Sequence, residues 1–189
     1  TSPRPGAWPS GPLPLPRARG VAGCPDTLQA FEGIRHQILC TSRDKAALRQ
    51  QVVEMREKMR SSLGTPEIRR DEVFHIKHDA GGIVDIEFMM QYLMLAWSAE
   101  HPELTQWSDN IRQMEELGRA GVLPVEDTEK LREVYITLRS TIHRRALQNL
   151  NSQVGGSAFQ DERDYHQRMG KKVKPKSKTK FTSVRPSWS

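Results

Sequence analysis

The chain has 189 residues, which is enough for one domain with tails. Of these residues 36% are hydrophobic and 28% are charged, a composition too apolar for a chain that is disordered throughout. Its net charge of +6 comes from residues 170–189, which contain seven cations and no acid, so the rest of the chain does not indicate a basic binding face. No apolar run approaches the roughly eighteen residues of a membrane-spanning helix, and no signal peptide is recognisable. Two cysteines are too few to stabilise a secreted fold of this size through disulfide bonds. We therefore expect a cytoplasmic protein with no membrane partner.

The two ends of the chain have the composition of unstructured segments. Six of the twelve prolines lie within residues 1–16, where the missing amide donors block regular structure, so we predict a proline-rich disordered lead-in over residues 1–20. A proline-motif ligand is the alternative for this segment. Residues 166–189 are predicted to be a basic disordered tail. Its lysines are not interleaved with aromatic residues, apart from Phe181 and Trp188, so we expect no specific nucleic-acid binding.

Between these tails, residues 21–165 carry the helical spacing of apolar residues that is typical of a bundle. Asp26 is placed to cap a first helix. Its apolar positions are Leu28, Phe31, Ile34, Ile38 and Leu39. Ser42 precedes a second amphipathic helix, which ends at Gly64 and has a heavily charged outer face.

A short extended segment and a glycine pair interrupt the helical pattern before the most apolar helix. Residues 72–78 are predicted to be extended and residues 79–82 to form a turn. The helix that begins at Ile83 is apolar around nearly its whole circumference, so we expect it to be the central helix. Two more helices are predicted, over about residues 105–120 and after Pro124. The fold class is therefore all-α, a bundle of about five helices.

The common catalytic motifs do not occur in this sequence. It has no Gly-x-Ser-x-Gly sequence, no glycine-rich Walker loop and no Cys-x-x-Cys pair. His75 and His78 are three residues apart on a segment predicted to be extended, which does not direct both rings to one metal ion. We interpret them as solvated or hydrogen-bonded histidines, with a zinc site as the alternative, and assign no metal ligand.

One cluster of residues has the chemistry of an anion site. Lys77 supplies positive charge, and Gly81 and Gly82 allow close approach to the backbone just before a helix N-terminus, where amides lack partners. Asp85 and Glu87 lie in the first turns of the otherwise apolar helix, so they must be paired, serve the helix dipole, or face a metal or nucleotide. Two interpretations stay open at this point: a structural turn with dipole-favoured acids, or a phosphate or metal–nucleotide edge.

Residues 74–92, with their lysine, glycine pair and Asp-Ile-Glu-Phe sequence, resemble the bacterial glutamine synthetase adenylyltransferase/adenylyl-removing enzyme family. Residues 53–60, 107–110 and 138–148 resemble the same family in a consistent order, so the resemblance covers roughly residues 17–165. The lysine and glycine pair before an acidic helix is also similar to the related signal-protein uridylyltransferases. The Asp-Asn after Trp107 and the Glu-Phe of the central helix favour the adenylyltransferase.

This resemblance implies a multifunctional enzyme of nitrogen metabolism. One half transfers AMP from ATP, with Mg²⁺, to a tyrosine of glutamine synthetase, and the other half removes it by phosphorolysis. Each half pairs a nucleotidyltransferase domain with a helical bundle, and this chain resembles the bundle of the C-terminal, adenylylating half. The implied partners are glutamine synthetase, a PII-type signal protein and ATP.

The Gly-Ser turn and the two metal-binding aspartates of the family's nucleotidyltransferase domain have no match in this sequence. We therefore expect a fragment that follows a missing nucleotidyltransferase domain, holds no catalytic residue and is inactive alone. Lys77, Gly81 and Gly82 would line the nucleotide phosphates, while Asp85 and Glu87 would face the active cleft. The alternative is a non-catalytic helical interaction module that docks glutamine synthetase or a nitrogen-signalling protein.

Overall fold

Six α-helices and one two-stranded sheet make up residues 14–172, the part of the chain that the computed structural model describes. The helices are α1 (Pro25–Leu39), α2 (Lys45–Leu63), α3 (Ile83–Trp97), α4 (Asn110–Arg119), α5 (Val125–Leu147) and α6 (Gln160–Lys172). The strands are β1 (Val73–His75) and β2 (Gln153–Gly155), and short 3₁₀ helices span Leu15–Arg17, Glu67–Arg69 and Pro102–Gln106. The predicted all-α bundle is confirmed. Residues 1–13 and 173–189, which include most of the predicted lead-in and of the basic tail, lie outside the described residues.

The central position predicted for α3 follows from its sequence and agrees with the structure. Ile86 and Leu93 on one side of α3, and Phe88 and Leu95 on the opposite side, are all buried. Helices α2, α4 and α5 pack around α3, so each covers a different part of its surface. A helix that is apolar on most sides gains its burial energy only when neighbours enclose it, which is why this one lies in the middle. Within residues 14–172, no helix combines the length and the apolar sequence that crossing a bilayer requires.

The N-terminal cap predicted for the first helix is wrong, and the second helix has a cap that was not predicted. Cys24, not Asp26, is the N-cap residue of α1, because Pro25 has a fixed φ and no amide to satisfy and therefore suits the first helical position. The cap of α2 is Asp44, two residues after Ser42, and its carboxylate accepts hydrogen bonds from two amides of the first turn.

The apolar stripe predicted to bury α1 is only partly buried. Leu39 is fully buried, but 57% of Ile34 and 39% of Ile38 are exposed. The reason is that α1 packs against the 3₁₀ helices at the edge of the bundle and not along α3. The periodicity correctly gave a helix, but it did not show which face a neighbour would cover.

The lead-in predicted to be disordered over residues 1–20 contains an ordered turn at Leu15–Arg17, whose Pro16 is buried. The Arg35 side chain, 3% exposed, donates hydrogen bonds from Nε to the Leu15 carbonyl at 3.2 Å and from Nη2 to the Pro16 carbonyl at 3.0 Å. The Gln113 amide also donates to the Pro16 carbonyl, at 2.9 Å. Prolines lack a donor but keep their carbonyl acceptor, so side-chain donors elsewhere in the fold order this segment.

The extended segment before α3 has a strand partner that the sequence did not reveal. Strand β1 pairs antiparallel with β2, and Phe74 lies opposite Val154. Because each strand has three residues, neither shows enough alternation to identify the pairing. This sheet brings the chain that leads into α6 next to the glycine turn.

The bundle continues beyond residue 165, where the sequence placed its boundary. Helix α6 extends to Lys172, and Met169 within it is 1% exposed and belongs to the hydrophobic core. The predicted helix over residues 105–120 is also divided, because a 3₁₀ helix precedes α4 and Asp109 caps α4 by accepting from the Arg112 amide. The extension of α6 matters for the site, since α6 forms one of its walls.

Candidate functional site

The glycine pair lies in a turn that joins β1 to α3, and backbone hydrogen bonds close this turn. The amides of residues 82–85 all donate to carbonyls of the same chain segment. The pairs are Gly82 to Asp79 at 2.9 Å, Ile83 to Ile76 at 2.9 Å, Val84 to Lys77 at 3.3 Å and Asp85 to Gly82 at 3.0 Å. These are the donors that an anion at a helix N-terminus would use, and here they are occupied.

Both glycines are explained by close contacts within the turn. Gly81 has a φ of +90°, and a Cβ added there would lie 2.7 Å from the Cβ of Arg163 on α6. A Cβ on Gly82 would lie 2.6 Å from the carbonyl oxygen of Ile76. Neither glycine needs a bound phosphate to account for it.

The Asp85 carboxylate is held by two arginines from α2. Its Oδ1 accepts from Arg56 Nε at 2.6 Å and from Arg60 Nη2 at 3.2 Å, while Oδ2 accepts from the Gly81 amide at 2.8 Å. Asp85 therefore joins α2 to α3 and also fixes the glycine turn. Of the two interpretations left open by the sequence, these contacts favour the structural turn for Asp85 and the glycine pair.

Lys77 and Glu87 lie at the surface and do not meet at this turn. Glu87 accepts a hydrogen bond from Arg17 at 2.8 Å in a part-exposed ion pair. Lys77 is exposed, and within residues 14–172 its ammonium group makes no hydrogen bond or ion pair. The structure therefore brings Gly81 and Asp85 into contact but does not gather the five predicted residues around one cavity.

Asp79 is the residue that organises the turn and that the sequence analysis overlooked. Its Oδ1 accepts from the Thr65 amide and its Oδ2 from the His75 amide, both at 2.6 Å. Burial alone would raise the pKa of this carboxyl, but these amides reverse the effect and lower its pKa below the ordinary value. Burial, helped by the neighbouring His75 and Arg56, also lowers the pKa of His78.

A cavity of about 290 Å³ opens between α2, α3 and α6. Asp85 is the predicted candidate that lines it. The charged side chains around it are four cations and two acids, namely Arg49, Arg56, Arg60, Lys171, Glu57 and Asp85. Helices α2 and α3 form its apolar wall, which includes Val52 and Val53 of α2 and Phe88 and Met89 of α3. A smaller cavity of about 160 Å³ lies beside it and shares Arg60 and Ala80.

The charge pattern of α2 did not reveal this cavity, because Arg56 is one of the charged residues that the pattern places on the outer face of that helix. Arg56 is instead buried, and it follows Leu48 and Val52 at four-residue intervals along the inner face of that helix. A cation that continues an apolar stripe was the available signal. Burial lowers the pKa of the Arg56 guanidinium, and the charge of Asp85 opposes that shift, so the group stays protonated.

The Mg²⁺ implied by the resemblance does not fit the described residues. Within residues 14–172, no three histidine, cysteine, aspartate or glutamate side chains lie close enough together to hold a metal ion. Both carboxylate oxygens of Asp85 already accept hydrogen bonds from the chain's own donors.

Comparison with known proteins identifies the family. Residues 33–178 match the family model described as GlnD PII-uridylyltransferase. The chain is 49% identical over 159 residues to the bifunctional glutamine synthetase adenylyltransferase/adenylyl-removing enzyme of Hahella chejuensis. It is 46% and 47% identical, over 166 residues each, to the enzymes of that name from Pseudomonas putida and Pseudomonas aeruginosa.

These alignments cover 83% of this chain but only 16% or 17% of each relative, so the chain spans about a sixth of the relatives' length. Residues 33–178, which match the family model, nevertheless include part of α1 and all of α2 to α6. The chain belongs to the family of the bifunctional glutamine synthetase adenylyltransferase/adenylyl-removing enzymes.

Proposed function

We propose that this chain is the helical region of an enzyme that transfers AMP from ATP to a tyrosine of glutamine synthetase, and that it comes from the C-terminal, adenylylating half. The observation that carries this proposal is the 46–49% identity to enzymes with that name over 83% of the chain. In this proposal Mg²⁺ and ATP are held by a nucleotidyltransferase domain outside the described residues. The enzyme acts in the cytoplasm and responds to a PII-type signal protein.

The bundle's part in that enzyme is to present a rigid edge to the nucleotidyltransferase domain. Lys77 is the predicted candidate best placed to contact a nucleotide, because it is exposed and its ammonium group has no partner within residues 14–172. Gly81, Gly82 and Asp85 contribute by holding the turn that carries Lys77. Glu87 lies at the same end of α3, where its pair with Arg17 limits its freedom.

A chimera tests this proposal directly. Residues 14–172, which include the ordered turn at Leu15–Arg17 and the whole of α6, would replace the aligned segment of the Pseudomonas putida enzyme, and labelled AMP transfer from ATP to glutamine synthetase would be measured. We expect transfer to be retained. The adenylyl-removing activity of the same polypeptide serves as an internal control for folding. A chimera that removes AMP normally but transfers none would contradict the proposal.

The interaction module is the second candidate, and the exposed side chains of Ile34 and Ile38 on α1 are the observation that favours it. These residues are four apart and so lie on one face of the helix. An interaction module predicts that the isolated chain binds glutamine synthetase and that replacing Ile34 with Ser weakens this binding. If the chain belongs to the adenylylating half, AMP transfer by the chimera should instead require the bundle.

A further inference from the structure

We propose that the cavity between α2, α3 and α6 binds a small phosphate monoester, with its phosphate at Arg56 and Arg60 and its apolar group against Phe88 and Met89. Neither the family match nor the names of the relatives assign a ligand to this cavity. The proposal goes beyond AMP transfer and does not depend on it, because binding is measured on this chain alone.

The charge around the cavity suits a doubly charged anion. Four cations and two acids line it, so its walls carry an excess of two positive charges. Asp85 offsets only part of the charge of the two arginines, because a single carboxylate is shared between Arg56 and Arg60. A phosphate monoester carries close to two negative charges at neutral pH, so it matches this excess better than a carboxylate does.

Arg56 and Arg60, which line the cavity, each have a buried nitrogen that makes no hydrogen bond. Arg56 is 5% exposed, and its Nε and Nη2 are used by Asp85 and by the carbonyls of His78 and Asp79. Its Nη1 is buried without a hydrogen-bond partner, and so is Nε of Arg60. Buried donors are normally satisfied, and arginine pairs are well suited to phosphate oxygens.

The rest of the cavity favours an apolar substituent on the phosphate. Val52 and Phe88 are buried core residues whose side chains line the wall, and Met89 packs beside them. Methionine adapts its shape to irregular apolar groups and makes favourable contacts with aromatic rings. On the α6 side, Gly170 leaves open space where a side chain would otherwise project.

Isothermal titration calorimetry on the full chain at physiological salt tests the proposal with three probes: phenyl phosphate, inorganic phosphate and benzoate. We expect phenyl phosphate to bind about tenfold more tightly than inorganic phosphate, because only it fills the apolar wall. Benzoate should bind more weakly than phenyl phosphate, since it carries one charge. No measurable binding of phenyl phosphate, or tighter binding of benzoate, would overturn the proposal.

Variants locate the binding. Arg60→Gln should weaken phenyl phosphate binding about tenfold or more, whereas Arg119→Gln, an exposed arginine on α4, should leave it unchanged. Val53→Trp provides an independent check, because Val53 lines the cavity and is 40% exposed, so a larger side chain there obstructs the cavity without entering the core. It should weaken binding while the melting temperature stays the same.

Phosphate binding by the lysines outside the described residues must be distinguished from binding in the cavity. Replacing Lys176, Lys178 and Lys180 with Gln should leave phenyl phosphate binding unchanged. If that triple variant abolishes binding, or if both Arg60→Gln and Val53→Trp bind like the original chain, the cavity is not the phosphate site and the proposal fails.

Discussion

Arg56 Nε and Asp85 Oδ1 are 2.6 Å apart, and the two side chains are only 6% and 16% exposed. This ion pair ties the middle of α2 to the first turn of α3. Because Asp85 also accepts from the Gly81 amide, the pair links helix packing to the shape of the glycine turn. The stability of the helix interface and the geometry of the turn are therefore coupled through one carboxylate.

Replacing Asp85 with Asn should lower the free energy of unfolding by about 3 kcal/mol, because it leaves the buried Arg56 guanidinium without its counter-charge. Urea unfolding followed by circular dichroism would measure the loss. Glu133→Gln is a matched control, since its pair with Lys130 is exposed and should be worth less than about 1 kcal/mol. Similar small losses for both variants would show that the Asp85 pair contributes little.

Gly81→Ala should destabilise the chain more than Gly121→Ala. Both glycines have a positive φ, so alanine strains the backbone by about 1 kcal/mol at each. Only at Gly81 would the added Cβ also collide with Arg163, whereas no atom lies within 4 Å of a Cβ at Gly121. The difference between the two melting temperatures isolates the close approach of α6. Equal shifts would mean that α6 moves away at no cost.

The stability contributed by Asp79 should depend on pH. The pKa of Asp79 is lowered in the folded chain, so its contribution is present above the unfolded-state pKa and is lost as pH falls through the folded-state pKa. At pH 7 the original chain should be more stable than Asp79→Asn, and the two should converge at acid pH. Urea unfolding of both proteins between pH 7 and about pH 2 would show this, and a constant difference over that range would contradict it.

Lys77→Ala, introduced into the chimera described above, should reduce AMP transfer about tenfold or more if the ammonium group neutralises nucleotide phosphate. It should leave the melting temperature unchanged, because Lys77 is exposed. Lys130→Ala is the control for loss of one surface cation. Transfer rates that match for the two variants would remove Lys77 from the nucleotide site.

Features of the fold that depend on a local pattern of apolar residues or glycines could be predicted from the sequence. The all-round apolar character of α3 predicted its central place, and the glycine pair predicted the turn before it. Features set by distant neighbours could not be read in this way. The periodicity of α1 did not show that Ile34 would lack a covering element, and the charge on α2 did not show that Arg56 points inward.

The turn that carries the candidate residues was predictable, but its contacts with the rest of the chain were not. The sequence placed Asp85 near Gly81, and the structure joins them by a hydrogen bond. It did not show that α2 supplies two arginines to that carboxylate, because such pairings depend on how helices pack and not on spacing along the chain. Asp79 escaped notice because an aspartate in a turn is common, and its role depends on a contact with the distant Thr65 amide.

The turn before α3 is completed by residues that lie far along the chain. Strand β2 pairs with β1, and the Arg163 guanidinium lies over the ring of Phe74 at 4.0 Å. The Cβ and Cγ atoms of Arg163 leave room only for glycine at position 81. Such long-range contacts form slowly because a large loop must close first. During synthesis, the contacts from α2 can therefore close this turn first, and the contacts from β2 and α6 are added only after α6 has left the ribosome.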